Sequence, residues 1–229
     1  MYRDGKVYDD IVKTIIQIYI DYNIKSFPVD EKEVCRKMGV ALVPYLSFGK
    51  DAIELLQKKS PYGFFVKGSK EQPPTIYYND LRNNHGSIRF TIFHELKHYV
   101  YEDEDDSEDS EDDLADYFAR QFMCPTIYLL LKNIDTENEI VSFCNVSFEA
   151  AIYASSNIIN RKRNYGYKIF DFEVRFIPNN LISFSKGLSV KSYDYWLHFY
   201  EDDYLFESIS RARLRTEPFF SEKPASLYN

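Results

Sequence analysis

The chain has 229 residues, of which 45% are hydrophobic and 28% charged, so its length and composition are typical of one globular domain with a small appendage. Lys and Arg total 28 against 36 for Asp and Glu, and this net charge of −8 excludes a generally basic nucleic-acid binder. Ten of the twelve residues in 102–113 are acidic, so the negative charge belongs to one segment. The simplest interpretation of this segment is a solvated loop, and a sharper hypothesis is a loop that attracts a basic substrate.

The predicted elements begin with a helix over residues 7–22, where apolar residues recur at helical spacing. A second helix follows, with Asp30 as its cap, Glu33 three residues later, and Gly39 at its end. Further along the chain, the patterns predict a strand at 41–45, a short helix at 51–59, adjacent strands at 62–67 and 75–78, and helices at 87–101, 114–131 and 146–163. Pro125 should kink or end the helix predicted at 114–131.

The pattern changes near the end of the last of these helices. We predict a boundary there, with one domain over residues 1–164 and an extension of unknown role over residues 165–229. In residues 170–176 apolar and charged side chains alternate, which predicts a half-buried strand. Residues 193–213 are ambiguous, and we interpret them as helical.

The cysteines indicate the compartment. Cys35, Cys124 and Cys144 are odd in number and lack the spacing of a metal-binding knuckle, which is typical of reduced thiols. The N-terminal sequence has no apolar signal region, and the longest apolar stretch, residues 11–20, is too short to span a bilayer. We therefore expect a cytoplasmic protein that does not associate with membranes.

The strongest motif is His-Glu-x-x-His at residues 94–98, inside the helix predicted at 87–101. His94 and His98 are four residues apart, so both imidazoles project from one face of the helix and can bind one metal ion. Glu95 lies about 100° around the helix and can reach a metal-bound water without being a ligand. Two imidazoles and one oxygen ligand suit Zn²⁺ and leave a coordination position for water. The motif therefore predicts a catalytic zinc site.

The helix downstream of this motif carries a family resemblance. Residues 112–119 read Asp-Asp-Leu-Ala-Asp-Tyr-Phe-Ala, and the helix is followed by Phe-Met-Cys-Pro at 122–125. The two helices, in this order, resemble the ImmA/IrrE-type metallopeptidases, in which the His-Glu-x-x-His helix precedes a Glu-x-x-Ala-Asp/Asn-x-Phe-Ala helix. Flanking segments over residues 7–163 look similar to that family as well. The resemblance implies an α+β fold, in which a zincin-like helix pair carries the metal site beside a small mixed sheet, with a C-terminal extension.

The resemblance also implies roles for individual residues. His94 and His98 match zinc ligands, Glu95 matches the general base, and the acidic third ligand falls on Asp112. The family normally has Glu at this third position. Because Asp is shorter by one methylene, either the second helix comes closer or another carboxylate serves, and Glu108 is the first substitute.

Two further assignments lie outside the ligand set. Asp116, one turn after Asp112, is placed to accept a hydrogen bond from a ligand histidine, although a solvated surface acid is the alternative. The strand over residues 75–79 could present an edge to an extended peptide, with Tyr77 and Asn79 as substrate-binding residues. An ordinary paired strand is the alternative for that segment. His198 is one candidate for stabilising the oxyanion, and a structural histidine is the simpler interpretation.

These observations predict a zinc-dependent endopeptidase. Members of the family that it resembles commonly cleave or inactivate helix-turn-helix repressors, often on mobile elements or prophages, which implies a DNA-binding repressor as the substrate and relief of repression as the outcome. One rival is a non-proteolytic, partner-binding module that retains the metal-site scaffold, and the intact Glu95 argues against it. The other is a direct DNA-binding regulator. The acidic balance argues against direct nucleic-acid binding, although Arg211, Arg213 and Arg215 leave a contact through the extension open.

Overall fold

The structure, a computed structural model, describes residues 5–82, 84–101, 110–166 and 170–174. The described elements form an α+β fold, mostly helical with a small mixed sheet, as the sequence predicts. In chain order the elements are α1 (Gly5–Asp21), α2 (Glu31–Met38), β1 (Ala41–Pro44), a 3₁₀ turn (Tyr45–Ser47), α3 (Lys50–Lys59), β2 (Gly63–Val66), β3 (Thr75–Tyr78), α4 (His85–Tyr101), α5 (Ser110–Met123), α6 (Thr126–Lys132), α7 (Glu137–Cys144), α8 (Phe148–Tyr165) and α9 (Asp171–Val174).

The strands of the described chain form a sheet in the order β1-β3-β2. β3 lies in the centre, parallel to β1 and antiparallel to β2, with Ile76 opposite both Leu42 and Phe65. Because β3 is paired on both sides, the expectation that this strand presents a free edge to a peptide is wrong. Both β2 and β3 contact α4, the helix with the His-Glu-x-x-His motif, and β2 is the outer strand of these two.

The helix α4 packs most extensively against α5. From α4, Phe93 and Leu96 are fully buried, and from α5, Phe118 and Phe122 are fully buried. The rings of Phe93 and Phe122 stack with their centroids 4.7 Å apart, and the hydroxyl of Tyr19 in α1 donates a hydrogen bond to the Phe122 carbonyl. Burying each such side chain contributes about 1.5–3 kcal/mol, so this core fixes the two helices beside each other.

The ends of α2 are where the sequence predicts them. The Asp30 side chain accepts hydrogen bonds from the backbone N–H groups of Lys32 and Glu33, and this satisfies two donors of the first turn. Gly39 ends the helix with φ of 75°, a left-handed conformation that glycine adopts without a steric cost.

The helix predicted over 114–131 is divided in the structure. Pro125 lies between α5 and α6, so it ends the first helix instead of bending a continuous one. The sequence analysis also missed α7. Its start is a capping box, in which the Thr136 hydroxyl accepts from the Glu139 N–H and the Glu139 carboxylate accepts from the Thr136 N–H. The Thr-x-x-Glu spacing is the signal that could have found it.

The strand predicted at 170–176 is wrong where the chain is described, because residues 171–174 form the short helix α9. The cause is a long-range ion pair. The Glu173 carboxylate is buried, accepts two hydrogen bonds from the Arg161 guanidinium of α8, and accepts a third from the Phe170 N–H. These contacts turn the chain back on itself in spite of its alternating pattern.

The remaining predictions for the extension lie outside the described residues. They are the end of the strand at 175–176, the helix at 193–213, His198, and the arginines at 211–215. The boundary between residues 164 and 165 stays a prediction, and α8 ends at Tyr165. Among the described helices, each is too short or too polar to cross a lipid bilayer.

Candidate metal centre

The helix α4 has a buried core face and, separate from it, a candidate metal-binding face. Ile92, Phe93 and Leu96 are fully buried, whereas His94 and His98 are only half-buried and lie side by side, with ring centroids 5.4 Å apart. This is the arrangement that the four-residue spacing predicts, because positions one helical turn apart project in the same direction.

The structure brings Asp112 of α5 to this pair of imidazoles. One ligand atom each from His94, His98 and Asp112 lies within 4.8 Å of the other two, and Nε2 of His94 is 3.8 Å from Oδ1 of Asp112. A Zn²⁺ ion with ligand bonds of about 2.1 Å requires roughly 3.4 Å between ligand atoms, so a modest inward movement completes the site. The Asp112 side chain is 75% exposed and is therefore unhindered for that movement. Glu108, the substitute considered above, lies outside the described residues.

Asp116 lies at the position that the sequence predicts for an orienting carboxylate. Its Oδ1 atom is 2.9 Å from Nδ1 of His94, and its Oδ2 atom accepts a hydrogen bond of 2.8 Å from the Arg120 guanidinium. When the N–H group at Nδ1 donates a hydrogen bond to Asp116, Nε2 is unprotonated. Its lone pair is then available on the side of the His98 and Asp112 ligand atoms. The carboxylate thereby selects the tautomer of His94 that can bind a metal.

The ionisable groups of the site affect one another. Burial by itself lowers the pKa of His94, but the hydrogen bond to Asp116 and the negative charges of Glu95, Asp116 and Asp112 outweigh it, so the pKa is raised. Burial raises the pKa of Glu95, while the nearby His94 and a hydrogen bond from the Phe65 N–H partly oppose the increase. A half-buried carboxyl with a raised pKa holds a proton more readily than a fully solvated carboxyl does, as a general base requires.

The edge of β2 lies directly beside Glu95. The Asn79 N–H donates to the Tyr62 carbonyl, so these two residues form a hydrogen-bonded pair. Hydrogen-bonded and non-hydrogen-bonded pairs alternate along an antiparallel ladder, and Phe65 falls in a non-hydrogen-bonded pair. Its N–H and C=O therefore face away from β3. The Phe65 N–H is the group that donates to the Glu95 carboxylate. The outer edge of the sheet beside α4 is therefore that of β2.

Gly63 allows this close approach of β2 to α4. A Cβ atom at residue 63 would lie 2.8 Å from Cγ2 of Thr91 in α4 and 2.7 Å from the carbonyl oxygen of Tyr77. No side chain can occupy that space without a shift of the backbone.

Tyr77 and Asn79 have structural contacts that the sequence analysis did not foresee. The Tyr77 ring stacks on Phe64 at 5.0 Å, on the face of the sheet opposite to Phe65. The buried Asn79 side chain donates to the Pro61 carbonyl and accepts from the Leu81 N–H, so it holds the turn after β3. Tyr77 and Asn79 therefore do not lie at a free strand edge, because β3 is the central strand of the sheet.

Arg89 supports the candidate site, a role that was not predicted from the sequence. It is 1% exposed, its Nε donates to Glu31, and its terminal nitrogens donate to the carbonyls of Val29, Cys144 and Asn145. These contacts join the start of α4 to α2 and to the end of α7. Its place in the apolar stripe, three and seven residues before Ile92 and Leu96, is the signal that could have found it.

A helix with two adjacent imidazoles and a half-buried carboxyl, packed on a second helix that supplies an acid and beside a small mixed sheet, defines a zincin-like metallopeptidase domain. The family model described as the IrrE N-terminal-like domain matches residues 35–156, and the chain belongs to this metallopeptidase family. The match extends from α2 into α8 and so contains both motif helices and the sheet. No curated protein and no solved structure matches the chain.

Proposed function

We propose that the protein is a zinc-dependent endopeptidase, with His94, His98 and Asp112 as the metal ligands. The observation that carries the proposal is the convergence of these three donor groups beside Glu95, a carboxyl that is not part of the ligand group. Two imidazole nitrogens and one carboxylate oxygen suit Zn²⁺ and leave a position for water, as in catalytic sites. Membership of a metallopeptidase family supports the same chemistry.

Zn²⁺ held by these residues would supply Lewis acidity, which polarises a peptide carbonyl and lowers the pKa of a water molecule. Glu95 then acts as the general base. It accepts the proton of the attacking water and delivers it to the departing amine nitrogen. The hydrogen bond from the Phe65 N–H orients the Glu95 carboxylate for both transfers. Asp116 holds His94 in its ligand orientation throughout.

The edge of β2 is the place where an extended substrate would bind. The Phe65 carbonyl faces away from β3, next to the general base, so an extended peptide that donates a hydrogen bond to it along the outer edge of β2 would have its scissile bond close to Glu95. Backbone pairing recognises a peptide by its extended conformation and leaves sequence preference to the side chains around it.

The substrate class follows from the family resemblance. We infer that the protein cleaves a helix-turn-helix, DNA-binding repressor and so relieves transcriptional repression on a mobile element or prophage. The three cysteines, which are free and buried, fit a cytoplasmic location.

The test is cleavage of a purified repressor that is encoded next to the gene for this chain. We expect the zinc-loaded wild type to produce two fragments. Glu95→Gln should bind zinc as the wild type does and lose about 10²- to 10⁴-fold in rate, because it keeps the ligands and removes the base. His98→Ala should lose both zinc and cleavage.

Two results would redirect the proposal. Wild-type rates from Glu95→Gln would show that Glu95 is not the base. If the zinc-loaded wild type binds the repressor and leaves it intact, a non-proteolytic, partner-binding module with a retained metal-site scaffold becomes the better description.

A further inference from the structure

We propose that Arg120 is a positioning residue of the metal centre, which acts on His94 through Asp116. The inference rests on the proposed metal site. The guanidinium of Arg120 donates to Oδ2 of Asp116 at 2.8 Å, and Oδ1 of the same carboxylate is 2.9 Å from Nδ1 of His94. The two carboxylate oxygens thus have separate partners, one in α4 and one in α5.

Two aromatic rings from other helices hold the guanidinium in place. Its central carbon lies 4.4 Å from the ring centroid of Tyr153 in α8 and 5.8 Å from that of Phe90 in α4. Phe90 is one helical turn before His94, and the centroids of these two rings are 6.4 Å apart. Arg120 is therefore fixed by groups from three helices, α4, α5 and α8. A planar guanidinium can stack on a ring and still donate along its edge, which an ammonium group cannot do.

This fixation matters because Asp116 is not deeply buried. Its side chain is 34% exposed, so by itself the carboxylate would exchange between several rotamers and water contacts. An exposed ion pair four residues apart in a helix contributes little by itself, because water screens it and two long side chains must be ordered. Arg120, however, is 26% exposed and already ordered by the two rings, so little conformational entropy remains to be lost when it binds Asp116. The result is a single orientation of Asp116, and hence of the His94 imidazole.

The experiment measures zinc affinity by competition with a chromophoric chelator, together with the visible spectrum of the Co²⁺-loaded protein. We expect Arg120→Met to weaken zinc binding about 3- to 10-fold, which is less than the loss from removing a direct partner of the ligand. Arg120→Lys should recover part of the affinity, because it keeps the charge and loses the stacked planar fork. Arg163→Met, which changes an exposed arginine of α8, is the matched control and should leave the affinity unchanged.

A double-mutant cycle separates an action through Asp116 from a general structural effect. In an Asp116→Asn background, Arg120→Met should weaken zinc binding by less than twofold, because the carboxylate that it positions is gone. An equal loss in both backgrounds would overturn the proposal, and so would unchanged affinity and an unchanged Co²⁺ spectrum in Arg120→Met.

The outcomes also separate this inference from the proposed function. A folded wild type that binds neither Zn²⁺ nor Co²⁺ contradicts the metal centre itself. A wild type that binds both, with an Arg120→Met variant that binds equally well, contradicts only the role of Arg120. If Arg120→Met does not fold, Tyr153→Leu applies the same test, since it removes only the stacking ring of a half-exposed residue. Tyr153→Leu should weaken zinc binding in the same direction by a smaller factor, and unchanged binding would count against the proposal.

Discussion

Nδ1 of His94 lies 2.9 Å from Oδ1 of Asp116, and this contact joins the two helices that form the metal centre. It leaves Nε2 of the same imidazole directed towards Asp112, at 3.8 Å from Oδ1. One nitrogen of the ring is thus held by the orienting carboxylate, and the other is left for the proposed metal ion. Asp112 and Asp116 of α5 therefore have separate, measurable tasks.

The first prediction concerns the orienting task. Asp116→Asn should weaken zinc binding about 10- to 100-fold, since a neutral amide is a poorer acceptor for the Nδ1 proton. Competition with a chelator measures the change. The control is Asp113→Asn, the same substitution at an exposed position of the same helix, and it should bind zinc as the wild type does. Equal affinities for Asp116→Asn and the control would mean that Asp116 is only a surface acid.

The second prediction concerns the ligand task. Asp112→Ala should purify with little zinc, because it removes the carboxylate from the group of three ligands and leaves only the imidazoles of His94 and His98. Glu108→Ala should retain one zinc ion per chain. Metal analysis of both variants beside His98→Ala decides the matter. The reverse pattern, with zinc kept by Asp112→Ala and lost by Glu108→Ala, would give the third ligand position to Glu108.

The third prediction concerns the contact between β2 and α4. Gly63→Ala should lower the free energy of unfolding by about 1–3 kcal/mol, because the added Cβ lies under 3 Å from Thr91 and Tyr77. Gly86→Ala in the first turn of α4 is the matched control, since its Cβ would make only ordinary contacts of 3.4 Å and longer. It should be neutral or stabilise by up to about 1 kcal/mol. Urea denaturation measures both, and equal stabilities would show that β2 tolerates a wider spacing.

The fourth prediction concerns the buried pair of Arg89 and Glu31, whose side chains are 2% and 7% exposed. Arg89→Met should cost about 3–5 kcal/mol in the free energy of unfolding, because it leaves the Glu31 carboxylate buried without its guanidinium. The double variant Arg89→Met with Glu31→Gln should recover part of that loss, since the uncompensated charge is removed. Additive losses in the double variant would contradict an energetic coupling between the two residues.

The fifth prediction concerns pH and the thiol of Cys35. Burial, aided by the nearby Glu31 charge, raises the pKa of this thiol to about 12, whereas an unfolded cysteine has a pKa of about 8.5. The protonated thiol therefore favours the folded state fully below pH 8.5, and this contribution is lost as the pH rises towards 12. Since the slope is at most about 1.4 kcal/mol per pH unit, the wild type should lose up to roughly 2 kcal/mol more than Cys35→Ala between pH 8.5 and 10. Denaturation at several pH values tests it, and a constant difference between the two proteins would contradict the raised pKa.

The sequence predicts best what depends on local spacing. The side-by-side arrangement of His94 and His98 follows from the helical period alone, and Asp116 follows from its spacing to Asp112 on the next helix. The ends of α2 are equally local, because Asp30 and Gly39 act on backbone groups within a few residues.

Long-range pairing accounts for what the sequence analysis did not find. The order of the strands is decided by contacts among three separate segments, so the local pattern of residues 75–79 could not reveal that β3 is central. Arg120 looks like an ordinary surface residue in its own helix, and its environment is formed by Phe90 and Tyr153 from two others. Over residues 170–174 the local pattern predicts a structure that the protein does not adopt. The alternation is typical of a strand, but the buried ion pair of Glu173 with Arg161 stabilises the helix α9 instead.

That ion pair crosses the predicted boundary at residue 164. A protein shortened to residues 1–164 would keep Arg161, whose side chain is 12% exposed, and lose the Glu173 carboxylate that neutralises it. It would also lose the ring of Phe172, over which the ammonium group of Lys13 in α1 lies. A shortened version intended for crystallisation or enzymology should therefore end beyond Val174, so that it includes α9 together with the peptidase domain.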